Sequence, residues 1–171
     1  MNWIQTYTGR RFFPLAPRAE DLDIRDIAHA LGLQCRFNGH CLAFYSVAEH
    51  SVRVSAVLPP ELGLWGLLHD AAEAYLTDLP SPVKRQMPQF QDAEATLLRV
   101  IATAFALSWP MPEAVLRADH QLLATEARDL MGPAPAPWSL PEAALPERIE
   151  PWPAEQAERA FLERFQALTA R

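Results

Sequence analysis

His69 and Asp70 stand side by side in an apolar run, Leu67-Leu68-His69-Asp70-Ala71-Ala72, and Glu73 follows three residues after the aspartate. On a helix, residues three and four apart share a face, so the imidazole and both carboxylates project together. Ionisable groups buried among leucine and alanine cost free energy unless they are partnered. Imidazole with carboxylate is a donor set for a divalent cation, and a free carboxyl beside such an ion can move a proton. Two more polar positions on apolar segments extend the set. His50 lies among Val47, Val52, Val54 and Val57, and Asp119 among Val115, Leu116, Leu122 and Leu123. Two imidazoles and two carboxylates suit zinc, cobalt, manganese or iron. Each residue taken singly also fits a solvated or satisfied structural role, and the His69-Asp70 pair fits it least because of its flanks.

The periodicity that must position these groups is helical. Apolar residues at helical spacing predict helices over 23–31, 46–58, 61–76, 89–107, 112–131 and 153–169. Ser46 with Glu49 forms a capping-box pattern at the start of the second. The third is apolar on most sides and reads as a central helix. No stretch alternates as a strong strand, so the class is all-α, a compact helical bundle with the metal site between central helices. Residues 1–22 read as an extended arm or short hairpin, 34–45 as a loop with an Asn38-Gly39 turn, and 132–153 as a proline-rich excursion. A length of 171 residues suggests a single domain.

The net charge of −6 disfavours a nucleic-acid-coating protein, while leaving room for a few cations around a small anion. No apolar run reaches membrane-spanning length, and the start, Met1-Asn2-Trp3-Ile4-Gln5, lacks the pattern of a signal peptide, so a cytoplasmic location without membrane contact is expected. In that setting Cys35 and Cys41 are expected as free thiols.

In order and spacing, His50…His69-Asp70…Asp119 resembles the metal-binding signature of the HD-domain phosphohydrolases. The runs Ser46-Val47-Ala48-Glu49-His50-Ser51 and Leu68-His69-Asp70-Ala71-Ala72-Glu73-Ala74-Tyr75-Leu76-Thr77-Asp78-Leu79-Pro80-Ser81-Pro82-Val83-Lys84 resemble the bacterial 5′-deoxynucleotidase branch, and also short phage relatives, some of them dATP triphosphohydrolases. The resemblance covers roughly residues 23–130.

The resemblance implies one divalent ion held by His50, His69, Asp70 and Asp119, with Glu73 helping to activate the attacking water. It implies that Asp78 contacts the sugar and disfavours ribonucleotides, that Arg36 and Lys84 hold phosphate, and that Phe37 and Pro82 belong to the substrate side. Phe37 stands where relatives often carry Trp. The implied reaction is hydrolysis of a deoxynucleoside 5′-monophosphate, the alternative being release of triphosphate from a dNTP, dATP in particular. A third reading keeps the fold as a non-catalytic nucleotide-binding module. Relatives assemble as dimers or larger, so a homo-oligomer is expected.

Overall fold

The computed structural model describes residues 1–170. The N-terminal segment is the hairpin alternative. β1 (Ile4–Gln5) pairs antiparallel with β2 (Arg11–Phe12), Ile4 opposite Phe12. Phe12 is fully buried and stacks on Tyr75, with ring centroids 3.9 Å apart. Buried Asp26 anchors the turn by accepting from the Thr8 N–H at 2.6 Å and the Thr8 hydroxyl at 2.9 Å.

Helices carry most of the rest, chiefly over the stretches the periodicity predicts, with a short one at 81–84 that it does not. They are α1 (Ile24–Leu33), α2 (Val47–Val57), α3 (Pro60–Leu68), α4 (Glu73–Leu76), α5 (Ser81–Lys84), α6 (Pro88–Ala104), α7 (Glu113–Leu130) and α8 (Ala154–Thr169). Asp23 caps α1 through the Arg25 N–H, and the Ser46 hydroxyl caps α2 through the Glu49 N–H at 3.0 Å. The capping box is only half formed. The Glu49 carboxylate turns away from Ser46, accepting from Arg53 at 2.7 and 2.9 Å and from the Trp152 N–H at 2.8 Å.

One helix over 61–76 does not form. The run breaks into α3 and α4, and residues 69–72 are a tight turn between them. There the backbone closes on carbonyls three residues back, Ala71 N–H to Leu68 and Glu73 N–H to Asp70. The His69 ring occupies the Gly66 carbonyl at 2.8 Å, the acceptor that Asp70 N–H would take in a regular helix. α6 likewise stops at Ala104 rather than 107, because Ala106 adopts a positive φ of 54° and Leu107 N–H returns to the Ala102 carbonyl.

α2 lies at the centre, against α1, α3, α7 and α8. Its approach to α3 is close. A Cβ built on Gly66 would lie 2.6 Å from Leu58 Cδ1 and 2.9 Å from Ser55 Cα. One apolar core gathers Phe12, Ile27, Leu31, Val47, Leu67, Leu68 and Phe161, and a second gathers Tyr45, Val54, Trp65, Val115 and Leu122.

The excursion between α7 and α8 is coil pinned by polar contacts as well as by the packing of Leu145, Ile149 and Trp152 against the two cores. Thr125 Oγ1 accepts from Leu145 N–H at 2.9 Å, and the buried Asp129 carboxylate accepts from Ile149 N–H at 3.0 Å. The Arg53 guanidinium lies 4.8 Å over the Trp152 ring. Among the described residues, no helix is long and apolar enough to cross a membrane.

Candidate metal centre

Three elements bring the polar set together. His50 comes from the second turn of α2, His69 and Asp70 from the turn after α3, and Asp119 from the middle of α7. His50 Nε2 lies 3.3 Å from His69 Nε2 and 3.1 Å from Asp119 Oδ1. Asp70 Oδ2 lies 3.1 Å from His69 Nε2 and 3.6 Å from His50 Nε2. Ligand atoms of His50, His69 and Asp119 all fall within 4.8 Å of one another. Both histidines are buried, and both acids are largely covered.

The protons on the imidazoles decide what this cluster can hold. A carbonyl oxygen only accepts, so the 2.8 Å contact to Gly66 places a proton on His69 Nδ1. His50 Nδ1 lies 2.6 Å from Glu126 Oε1 and donates to that carboxylate. A neutral ring then turns a bare Nε2 lone pair inward in each case. Two such nitrogens and two carboxylates face one small space, an arrangement that demands positive charge. The separations of 3.1–4.0 Å suit atoms sharing one ion at bond lengths of roughly 2.0–2.2 Å. The donor set therefore fits a divalent ion.

The titration of the groups shows the same demand for positive charge, met by protons on the imidazoles where no ion is bound. Burial and Arg36 push His50 down, but Glu126 and Asp119 outweigh them and raise it to about 9. Burial pushes His69 down, and Asp70 and Asp119 lift it above its usual value. Burial alone would raise Asp70, yet His69, His50 and Arg36 hold it well below the carboxylate range. Asp119 is lowered in the same way by His50 and His69, against burial.

Around the cluster, Arg36 Nη1 approaches Asp70 Oδ2 at 3.6 Å, while its Nε and Nη2 donate to Glu126 Oε2 at 3.2 and 3.0 Å. Glu73 is buried, with Oε1 3.7 Å from Lys84 Nζ, and Lys84 also pairs with Glu94 at 2.7 Å. Burial, then Asp70 and Asp78, push the Glu73 carboxyl far above its usual value. Asp78 is raised too, chiefly by burial. Thr77, between them, has a φ of 97°, a left-handed strain for a β-branched residue. The Gln34 side chain bridges that turn, donating to the Glu73 carbonyl at 3.0 Å and accepting from Asp78 N–H at 3.1 Å.

Other candidates sit further out. Phe37 is half-buried with a φ of 55°, its ring 5.5 Å from the Arg36 guanidinium and edge-on to Trp138 at 6.2 Å. Pro82 is exposed in the first turn of α5. His29 pairs with Glu158 at 3.0 Å and stacks on Tyr7, away from the metal set. Cys35 and Cys41 are free thiols with sulfurs 3.5 Å apart.

Two participants escape the sequence reading. Glu126 lies seven residues after Asp119, two helical turns on and on the same face of α7, and that spacing was its available signal. Gln34 had none, since a lone glutamine beyond a helix end looks like surface.

No family model matches the chain. It is 35% identical over 126 residues to an uncharacterized protein of Rhodobacter capsulatus, covering 68% of this chain and 64% of that one. It is 42% identical over 130 residues to the uncharacterized protein YfdR of Escherichia coli strain K12, covering 76% of this chain and 73% of that protein. Identity at that level, over most of both chains, places this protein in the same family as YfdR.

Proposed function

We propose that the protein is a divalent-metal-dependent phosphohydrolase of 2′-deoxynucleotides, built on an HD-type site, and that it cleaves a deoxynucleoside 5′-monophosphate to deoxynucleoside and phosphate. The observation that carries the reading is the four inward-facing acceptor atoms of His50, His69, Asp70 and Asp119, bordered by the Arg36 guanidinium. A divalent ion held there supplies Lewis-acid polarisation of a phosphoryl oxygen and a more acidic water.

The chain's own residues do the rest. Arg36 and Lys84 offset charge gathering on the phosphoryl oxygens. Glu73, buried and raised, takes up or holds the proton of the attacking water. Asp78, on the strained turn beside it, meets the sugar. Phe37 lies along the Arg36 side of the substrate, and Pro82 at the entrance on α5. Both cations are already paired, Arg36 with Glu126 and Lys84 with Glu94, so little uncommitted positive charge borders the cluster. That supports one phosphate rather than three.

A panel of deoxynucleoside mono- and triphosphates, with added cobalt or manganese and product identification, tests the reading. Inorganic phosphate from the monophosphates is the expected result. Triphosphate release from dATP instead would move the protein to the triphosphohydrolase reading. Absence of release from every substrate would leave a nucleotide-binding module. A homo-oligomer is part of the proposal, checked by light scattering.

A further inference from the structure

We propose that Glu126 is a positioning residue that serves both halves of the site, holding a metal ligand in its binding tautomer and aiming the arginine beside it. The inference rests on reading the cluster as a metal centre. Glu126 is fully buried on α7 and uses both of its oxygens. Oε1 accepts from His50 Nδ1 at 2.6 Å, and Oε2 accepts from Arg36 Nε at 3.2 Å and Nη2 at 3.0 Å. Three N–H donors from two separate segments thus end on one carboxylate. With its proton held on Nδ1, His50 presents Nε2 bare to His69 and Asp119. With Nε and Nη2 occupied, Arg36 has Nη1 left to face Asp70, 3.6 Å away.

An amide cannot do both jobs. Gln has one accepting end and one donating end, and the guanidinium, being charged, takes the oxygen. The amide NH2 then meets His50 Nδ1, which must accept. The ring proton moves to Nε2, into the space where the ion binds. The logic is that of an orienting carboxylate behind any working histidine. Aspartate is shorter but accepts at both oxygens, so it keeps the chemistry at some loss of reach.

The test compares full-length wild type, E126Q and E126D, with cobalt(II) alone as the probe. Visible absorption and calorimetric titration report affinity, nitrogen NMR of histidine-labelled, chelator-treated protein, taken at a pH high enough to leave the His50 ring neutral, reports the His50 tautomer, and melting curves report folding. The expected result is a 10- to 100-fold loss of cobalt affinity in E126Q, with the His50 proton on Nε2, and a smaller loss in E126D. A packing role predicts the opposite order, since Gln is the isostere. E126Q binding cobalt like wild type with the proton still on Nδ1, or E126D binding more weakly than E126Q, overturns the proposal. If wild type itself takes up no cobalt, the metal reading falls, and the tautomer in E126Q still decides the role of Glu126.

Discussion

Glu73 and Lys84 face each other across the loop joining α4 to α5, with Glu73 Oε1 3.7 Å from the Lys84 ammonium. The second oxygen, Oε2, is buried with no hydrogen-bond partner in the protein. An unpaired buried polar oxygen is costly, and a water or a substrate atom would satisfy it. Glu73→Gln is expected to keep cobalt affinity within a few-fold and to lower kcat by about 10²–10⁴. Stopped phosphate-release assays beside a cobalt titration check this. A variant with wild-type kcat would remove Glu73 from the chemistry.

Metal affinity is expected to depend on pH. His50, raised from 6.5 to about 9, carries a proton at neutral pH that an incoming ion must displace. Affinity therefore climbs by about tenfold per pH unit from 7 toward 9 and levels above it. The stability of chelator-treated protein runs the other way. The His50 pKa is raised in the folded state, so its contribution is full below pH 6.5 and is lost as pH rises through 9. Calorimetry in buffers of different ionisation enthalpy counts the released proton, and thermal melts from pH 6 to 9.5 test the second half.

Sugar discrimination is expected to rest on the turn at Thr77. Its φ of 97° and the Gln34 bridge hold Asp78 in place against strain. Asp78→Ala is expected to raise kcat/KM for ribonucleotides relative to deoxynucleotides by about 10-fold or more, the scale of one lost polar contact. Gln34→Ala should show the same shift, weaker, through KM. An unchanged ratio in both variants would take sugar reading away from this turn.

Much of the fold and half of the site were legible beforehand. The bounds of α1, α2, α7 and α8 follow from apolar spacing and caps, within two residues. His50, His69, Asp70 and Asp119 stood out because each is ionisable on an apolar face. The break after Leu68 was not legible, because Leu67-Leu68-His69-Asp70-Ala71-Ala72 has the composition of a helix throughout. It arises from a side-chain bond, His69 to the Gly66 carbonyl, that no periodicity carries. Glu126 was masked by its setting, Ala127-Arg128-Asp129, which reads as a solvated helix end. The hairpin at 4–12 was legible only as one of two alternatives, since strands of two residues leave no alternation to detect.

Gly66 supports the turn that carries His69 and Asp70 from behind. With Ser55 Cα 2.9 Å from where its Cβ would sit, the backbone of α2 leaves no flexible side chain to yield. Gly66→Ala is expected to cost about 1–3 kcal/mol through overpacking, despite the better helix propensity of alanine. Because Gly66 also offers its carbonyl to His69, cobalt affinity should fall with stability. Chemical denaturation and cobalt titration on the same sample check both. A gain in stability would mean that the helices can part without penalty.

The stretch after α7 does more than join two helices. Its N–H groups at Leu145, Ile149 and Trp152 are taken by side chains of α7 and α2, the two helices that carry Asp119 and His50. Its exposed tip, 133–139, lies outside those attachments. Cutting the chain at the tip would leave every clasp intact, so a nicked protein should stay whole and keep the candidate site assembled. Losing the clasps instead would take a backbone N–H partner from each of two buried carboxylates, Glu49 and Asp129, and loosen the walls of the candidate site. The proline-rich segment is thus a buckle across the site, and its fastening matters more than its continuity.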